Sequence, residues 1–151
     1  MIWHVLPTEI KALQYAGLAG DRTMTLKILT IDDSPTIRAM LDTTLTEAGF
    51  EVYQAENGRD GLGMLGVIKP DLVITDLNMS VMGGFTVIRE IRQEKRHVGL
   101  PILVMTTEGS DEFKQRGREL GATGWITKPF DPEKLIRIIH RVTQTEQVPA
   151  A

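Results

Sequence analysis

At 151 residues the chain is long enough for one domain with a substantial core, and its 42% apolar and 25% charged content is ordinary for a globular protein. A net charge of −3 argues against a nucleic-acid partner, and the absence of cysteine excludes disulfides and thiolate metal sites while fitting a reducing compartment. No apolar run approaches the roughly 18 residues of a membrane span and no basic cluster precedes an apolar core near the start, so neither a membrane anchor nor a secretory signal is read, and a cytoplasmic protein is expected.

Residues 1–25 read differently from the rest. Thr8 to Ala16 is compatible with a short helix that ends at Gly17, with Ile10 and Leu13 on one side. Gly20-Asp21-Arg22-Thr23 reads as a linker, so this stretch is taken as a flexible N-terminal extension. From Leu26 a strand–loop–helix pattern sets in and recurs five times. Leu26 to Ile31 is the first strand, closed by Asp32 and Asp33. Ser34-Pro35 supplies an N-cap followed by proline at the first helical position. Ile37, Leu41, Leu45 and Ala48 then recur at helical spacing, and Gly49 ends the helix.

Glu51 to Ala55 is the second strand, and Asn57-Gly58 turns the chain. The second helix is expected over 59–68 with Leu62, Leu65 and Ile68 inward. Gly61, Gly63 and Gly66 each weaken it by up to about 1 kcal/mol, making it the least stable helix. Leu72 to Ile74 is a short apolar run between Pro70 and Asp76, which reads as a strand buried on both faces. The Val81-Met82-Gly83-Gly84 loop leads to a helix at about 85–95 with Val87, Ile88 and Ile91 buried. Pro101 to Met105 is the fourth strand. Ser110 caps the next helix, whose face is Phe113, Gly117 and Leu120, and Gly121 stops it. Thr123 to Ile126 is the fifth strand. Asp131-Pro132 opens a last helix with Leu135, Ile138, Ile139 and Val142 inward, and residues 145–151 form a polar, frayed end. Alternating strands and helices imply a parallel sheet with right-handed crossovers and helices on both faces. Five strands in this length fit a flavodoxin-like, doubly wound α/β fold.

The chemistry stands at the carboxyl ends of these strands. The first offers Asp32 and Asp33, the third Asp76, the fourth Thr106, and the loop after the fifth Lys128. A strand-end aspartate taken alone reads more readily as a turn cap than as a nucleophile. If the strand order is 2-1-3-4-5, however, three carboxylates crowd one pocket. They repel unless a cation joins them, and an all-oxygen site suits Mg²⁺. A carboxylate nucleophile, Mg²⁺, a lysine and a hydroxyl are the parts needed to take up a phosphoryl group as an acyl phosphate.

Four segments carry a resemblance: Ile31-Asp32-Asp33-Ser34, Thr75-Asp76-Leu77-Asn78-Met79, Val104-Met105-Thr106-Thr107-Glu108 and Gly124-Trp125-Ile126-Thr127-Lys128-Pro129-Phe130. Together, in this order, they resemble the receiver domain of bacterial two-component response regulators. The likeness is greatest to a stand-alone chemotaxis receiver of the CheY type, and it covers Leu26 to about Thr143. The resemblance implies the order 2-1-3-4-5 and a receiver domain over 26–144. It makes Asp76 the phosphoacceptor. Mg²⁺ would be bound by Asp33, Asp76 and the main-chain carbonyl of Asn78, with Asp32 acting mostly through a metal-bound water. Lys128, before a cis Lys128–Pro129 peptide, would hold the phosphoryl oxygens. Thr106 would close on that group while Trp125 turns inward, re-forming the surface of the fourth helix, fifth strand and fifth helix, where partners dock.

The partners implied are a histidine kinase as phospho-histidine donor, a phosphorylation-dependent target such as the flagellar motor switch, and a phosphatase. The protein is expected as a monomer that catalyses only its own phosphorylation and hydrolysis. With no room read for an output domain, a diffusible single-domain regulator is expected. Asn78 and Glu108 flank the pocket, either guiding a hydrolytic water or as exposed polar residues. Trp125 has a switching role or is plain edge packing. His4, His97 and His140 lie outside the site. Met40, Met64 and Met105 read as core filler, and the basic residues of 114–118 as a solvated face beside the docking surface.

Three departures stand out from the family pattern. Ser80 replaces a usual proline, Gly83-Gly84 replaces Asp-Gly, and Trp125 replaces a smaller aromatic. The first two are expected to loosen the loop after Asp76, and the third to make an inward aromatic harder to accommodate. Three alternatives to a switch remain. A phosphate sink or relay intermediate has the same site. An aspartyl-phosphate hydrolase would need a second acid where Asn78 stands, and a cap segment. A flavin module would need a phosphate-cradling loop where Asp32 and Asp33 repel the ligand.

Overall fold

The computed structural model describes residues 25–145; the helix expected over 8–16 and the polar end from 146 lie outside the described residues. The elements are β1 (Lys27–Ile31), α1 (Pro35–Glu47), β2 (Glu51–Ala55), α2 (Gly58–Ile68), β3 (Leu72–Thr75), α3 (Gly84–Gln93), a 3₁₀ turn (Lys95–His97), β4 (Ile102–Thr106), α4 (Asp111–Leu120), β5 (Gly124–Thr127) and α5 (Pro132–Thr143). The five strands are parallel in the order β2-β1-β3-β4-β5. The doubly wound arrangement and its order are as expected. Among the described residues no helix is long and apolar enough to cross a membrane.

The two faces of the sheet carry two core layers, because successive strand residues point to opposite sides. Leu29, Ile31, Val73, Ile102 and Val104 face α2, α3 and α4, meeting Leu65, Val87, Ile88 and Ile91. Ile28, Leu72, Ile74, Leu103 and Met105 face α1 and α5, meeting Leu41, Leu45, Leu135, Ile139 and Val142. β3 and β4 are buried along their whole length, which is why their sequence shows apolar runs rather than alternation. The caps are local; those of Ser34, Ser110 and Asp131 form as expected, and Asn57, read only as a turn, is a cap as well. Ser34 Oγ accepts from the Ile37 amide, Asn57 from Asp60, Ser110 from Phe113 and Asp131 from Glu133, each contributing on the order of 1 kcal/mol.

Two core assignments are corrected. Met40 is 47% exposed, because it lies about 100° around α1 from Leu41, which already faces the sheet. Ala48 is also exposed: α1 ends at Glu47 and the chain leaves through Gly49 at φ +95°. The glycines of α2 do not act alike. A Cβ on Gly61 would stand 2.4 Å from Ile31 Cδ1, so this glycine lets α2 pack closely over β1. Gly63 is exposed and a Cβ there meets nothing. Gly63→Ala is therefore expected to stabilise the protein by about 0.5–1 kcal/mol, read as a higher urea midpoint.

Candidate functional site

The pocket follows from the strand order. Ile31 of β1 pairs with Thr75 of β3, so the next residues, Asp32 and Asp76, leave adjacent strands side by side. The Asp76 amide donates to Ile31 O at 3.0 Å and that of Asp32 to Ala55 O at 3.1 Å, extending the ladder to the two acids. Oxygens of Asp32, Asp33 and Asp76 lie within 4.8 Å of one another. Asp32 and Asp76 are buried, 2% and 8% exposed, whereas Asp33 is exposed.

Lys128 arrives from beyond β5. Its amide donates to Thr106 O at 2.8 Å and its peptide with Pro129 is cis. Nζ lies 2.8 Å from Asp32 Oδ2 and 2.9 Å from Asp76 Oδ2. Burial pulls the Lys128 pKa down, and the hydrogen bonds and charges of Asp32 and Asp76 outweigh it, leaving the pKa above its ordinary 10.5. A raised amine pKa means that the folded chain holds this proton more tightly than the unfolded one. The resulting stability is complete below pH 10.5 and is lost as pH climbs through the folded value. The urea midpoint is thus expected to fall above pH 10.5, and to fall less in a variant carrying Asp32→Asn and Asp76→Asn, which lacks both partners.

The remaining oxygens are also accounted for. Asp32 Oδ1 accepts from the Ser34 amide at 2.9 Å, and Asp76 Oδ1 from the Leu77 amide at 2.7 Å. Arg38 Nη1 donates to Asp32 O at 2.6 Å. This arginine had no local sequence signal, since it acts from one turn inside α1 on a strand-end carbonyl. Asp33 has no recorded hydrogen bond or ion pair among the described residues, so its carboxylate is available to a ligand. An all-oxygen set of three acids with one ungripped member fits a hard divalent cation.

The loop after Asp76 is tightly seated. A Cβ on Gly84 would lie 2.2 Å from Asp76 O and 2.9 Å from Leu77 Cα, and the Gly84 amide donates to Leu77 O at 3.0 Å. The loosening expected of Gly83-Gly84 is therefore confined to Gly83, which caps α3 without a side-chain hydrogen bond. Strain sits nearby at Val81. This β-branched residue has φ +73° and is 64% exposed, inside a turn closed by the Met82 amide on Ser80 O at 2.8 Å. Val81→Asn is expected to stabilise by roughly 0.5–1 kcal/mol, measurable as a higher Tm. Asn78 is exposed two residues past Asp76.

On the other flank, Thr106 is fully buried and its Oγ1 accepts from the Glu108 amide at 3.3 Å. Glu108 O in turn accepts from Trp125 Nε1 at 3.0 Å. Trp125 is only 3% exposed. The difficulty expected of an inward indole does not arise, because a Cβ on Gly117 would stand 2.8 Å from its Cζ3, and glycine leaves that space to the ring.

The family profile of the response regulator receiver domain matches residues 28–140. The chain belongs to this family. Among solved structures, this receiver domain is similar to the chemotaxis response regulator CheY4 of Vibrio cholerae. The two are 44% identical with a TM-score of 0.76, over 79% of this chain and 99% of that one. Among curated proteins it is 35% identical to Protein PilH of Pseudomonas aeruginosa, over 77% of this chain and 96% of that protein. It is also 35% identical to the DNA-binding dual master transcriptional regulator RpaA of Synechocystis, over 83% of this chain and only 52% of that protein. The receiver is thus shared between relatives of its own length and relatives about twice as long.

Proposed function

We propose that this receiver takes a phosphoryl group from a histidine kinase onto Asp76 and passes the signal on through its α4–β5–α5 face. The observation that carries the reading is Lys128 Nζ bridging Asp32 and Asp76 inside a cluster of three carboxylates. In the transfer, an Asp76 carboxylate oxygen attacks phosphorus. The P–O bond forms as the donor's P–N bond breaks, and the departing imidazole keeps the electron pair and takes up a proton. Asp76 Oδ1 is held by the Leu77 amide, which fixes the carboxylate plane. Lys128, still tied to Asp32, stands ready to pair with the phosphoryl oxygens, and the Thr106 hydroxyl offers a further donor. Asp33, Asp76 and the Asn78 main-chain carbonyl would hold Mg²⁺, with Asp32 acting through a water, and the ion would neutralise carboxylate and phosphoryl charge. Asn78 and Glu108 are assigned to guiding the hydrolytic water.

The functional unit is residues 26–144, acting as a cytoplasmic monomer whose target is a protein such as the flagellar motor switch, with a phosphatase resetting it. To test the acceptor, the protein is treated with phosphoramidate and Mg²⁺ and reduced with borohydride. Conversion of Asp76 to homoserine in the peptide map is expected; reduction at any other carboxylate overturns the assignment. For the output, lysate proteins retained by beryllofluoride-loaded and unloaded protein are compared. A kinase retained by the unloaded form, with nothing new on the loaded form, would mean a phosphate sink.

A further inference from the structure

The peptide between Asp32 and Asp33 is gripped by a residue outside the acid cluster. The Asp32 amide is tied to β2 through Ala55 O at 3.1 Å, and the Asp32 carboxylate is shared between the Ser34 amide and Lys128. The Asp32 carbonyl, which belongs to the peptide leading into Asp33, accepts from Arg38 Nη1 at 2.6 Å. Asp33 is exposed and makes no hydrogen bond or ion pair of its own among the described residues. Its place is therefore set through the backbone on either side of it.

Arg38 reaches this peptide because of where it stands on α1. Ser34 is the N-cap and Pro35 the first helical residue, and the Arg38 amide donates back to Ser34 O at 3.0 Å. Helical side chains lean toward the N-terminus of their helix. One turn in, that lean returns the half-buried guanidinium to the loop the chain has just left. The contact closes a ring that runs from Asp32 through Ser34 into α1 and back to Asp32. Among the described residues Arg38 pairs with none of the three carboxylates, so its grip is on the backbone.

We infer that Arg38 is a positioning residue that makes the three-acid cluster selective for Mg²⁺ over Ca²⁺. This rests on the metal reading given above for Asp33 and Asp76. Both ions take carboxylate oxygens. Mg²⁺ demands near-ideal octahedral geometry at about 2.0–2.1 Å, whereas Ca²⁺ accepts more ligands at about 2.3–2.6 Å in a looser arrangement. A carboxylate on a fixed backbone favours the smaller ion; one on a backbone free to shift gives up that preference. Groups that orient a ligand without touching the metal are worth about 10–100-fold in affinity. The charge of the guanidinium works in the other direction. It repels either divalent ion, so its removal alone would tighten both alike. Position and charge thus predict opposite signs for the same substitution.

The test uses the full chain without a phosphodonor, and the metals alone as probes. Dissociation constants for Mg²⁺ and Ca²⁺ are obtained by competition with Mn²⁺, followed by electron paramagnetic resonance. Arg38→Met keeps an apolar stem and removes the donor. It is expected to weaken Mg²⁺ binding about tenfold and Ca²⁺ binding less, so that the preference for Mg²⁺ falls. Arg38→Lys, which keeps a donor and the charge, is expected to recover part of that preference. Urea midpoints in EDTA report stability apart from the metal. A merely structural role would lower the midpoint and leave the ratio of the two dissociation constants unchanged. Unchanged or tighter Mg²⁺ binding by Arg38→Met would overturn the inference, as would equal weakening of both ions. Should Arg38→Met not fold, Arg38→Gln, too short to span the same gap, is judged by the same criteria. Asp33→Asn separates the two readings. If the parent binds no Mg²⁺, or Asp33→Asn binds it as the parent does, the metal reading fails. If Asp33→Asn loses Mg²⁺ while Arg38→Met keeps the parent's ratio, the role of Arg38 alone is overturned.

Discussion

Asp76→Ala is expected to abolish covalent phosphoryl uptake, leaving no acid-stable, base-labile label above background. The loss should be complete because neither neighbouring acid can take over. Asp32 is 2% exposed against 8% for Asp76; both pair with Lys128 and a backbone amide, so the deeper burial of Asp32 is what sets it apart. Asp33 is exposed, but Lys128 pairs with Asp32 and Asp76 and not with it. A nucleophile outside reach of the cation that steadies the transferred group loses most of the electrostatic help on which phosphoryl transfer depends. Labelled phosphoramidate with Mg²⁺, followed by autoradiography, checks this; label persisting on the alanine variant would sink the assignment.

Gly84→Ala is expected to destabilise the fold by about 3 kcal/mol or more, because the clash is with backbone and has no rotamer to relieve it. The added methyl group would lie 2.2 Å from Asp76 O and 2.9 Å from Leu77 Cα. Either α3 retreats from the sheet or the acceptor's own carbonyl moves. Gly83→Ala provides the contrast: its nearest neighbour is Leu77 O at 3.2 Å, which a small shift accommodates. Urea titration of the two variants should show a large drop in midpoint for Gly84→Ala and a small one for Gly83→Ala. Equal midpoints would mean that the loop has a second seat and does not fix Asp76.

These two residues illustrate what a sequence exposes and what it hides. The strands, helices and caps were legible because their causes are local. Ser34, Ser110 and Asp131 act on amides two or three residues ahead, and the apolar runs of β3 and β4 report burial on both faces. The site was legible because each group stands at a strand end, where topology gathers it. Close approaches between distant elements have no such signature. Gly61 against Ile31 and Gly117 against Trp125 look in sequence like ordinary helix positions, and Gly84 against Asp76 O like part of a loop. Arg92 looks like a surface cation, yet it donates to Gly121 O at 3.0 Å and His97 O at 2.8 Å, and burial lowers its pKa to about 10. The positive φ of Val81 could not be read either, since valine is among the residues least expected there.

The ion pair between Lys128 and Asp32 spans 96 positions of the chain. During synthesis the acceptor and its two companion acids leave the ribosome well before their counter-charge does. Once β1 and β3 have paired, their strand-end acids lie together without Lys128, which pairs with two of them only after the loop beyond β5 has docked. The loop after the last strand therefore completes the pocket: a chain that stops before Lys128 carries all three acids but not the amine that joins two of them.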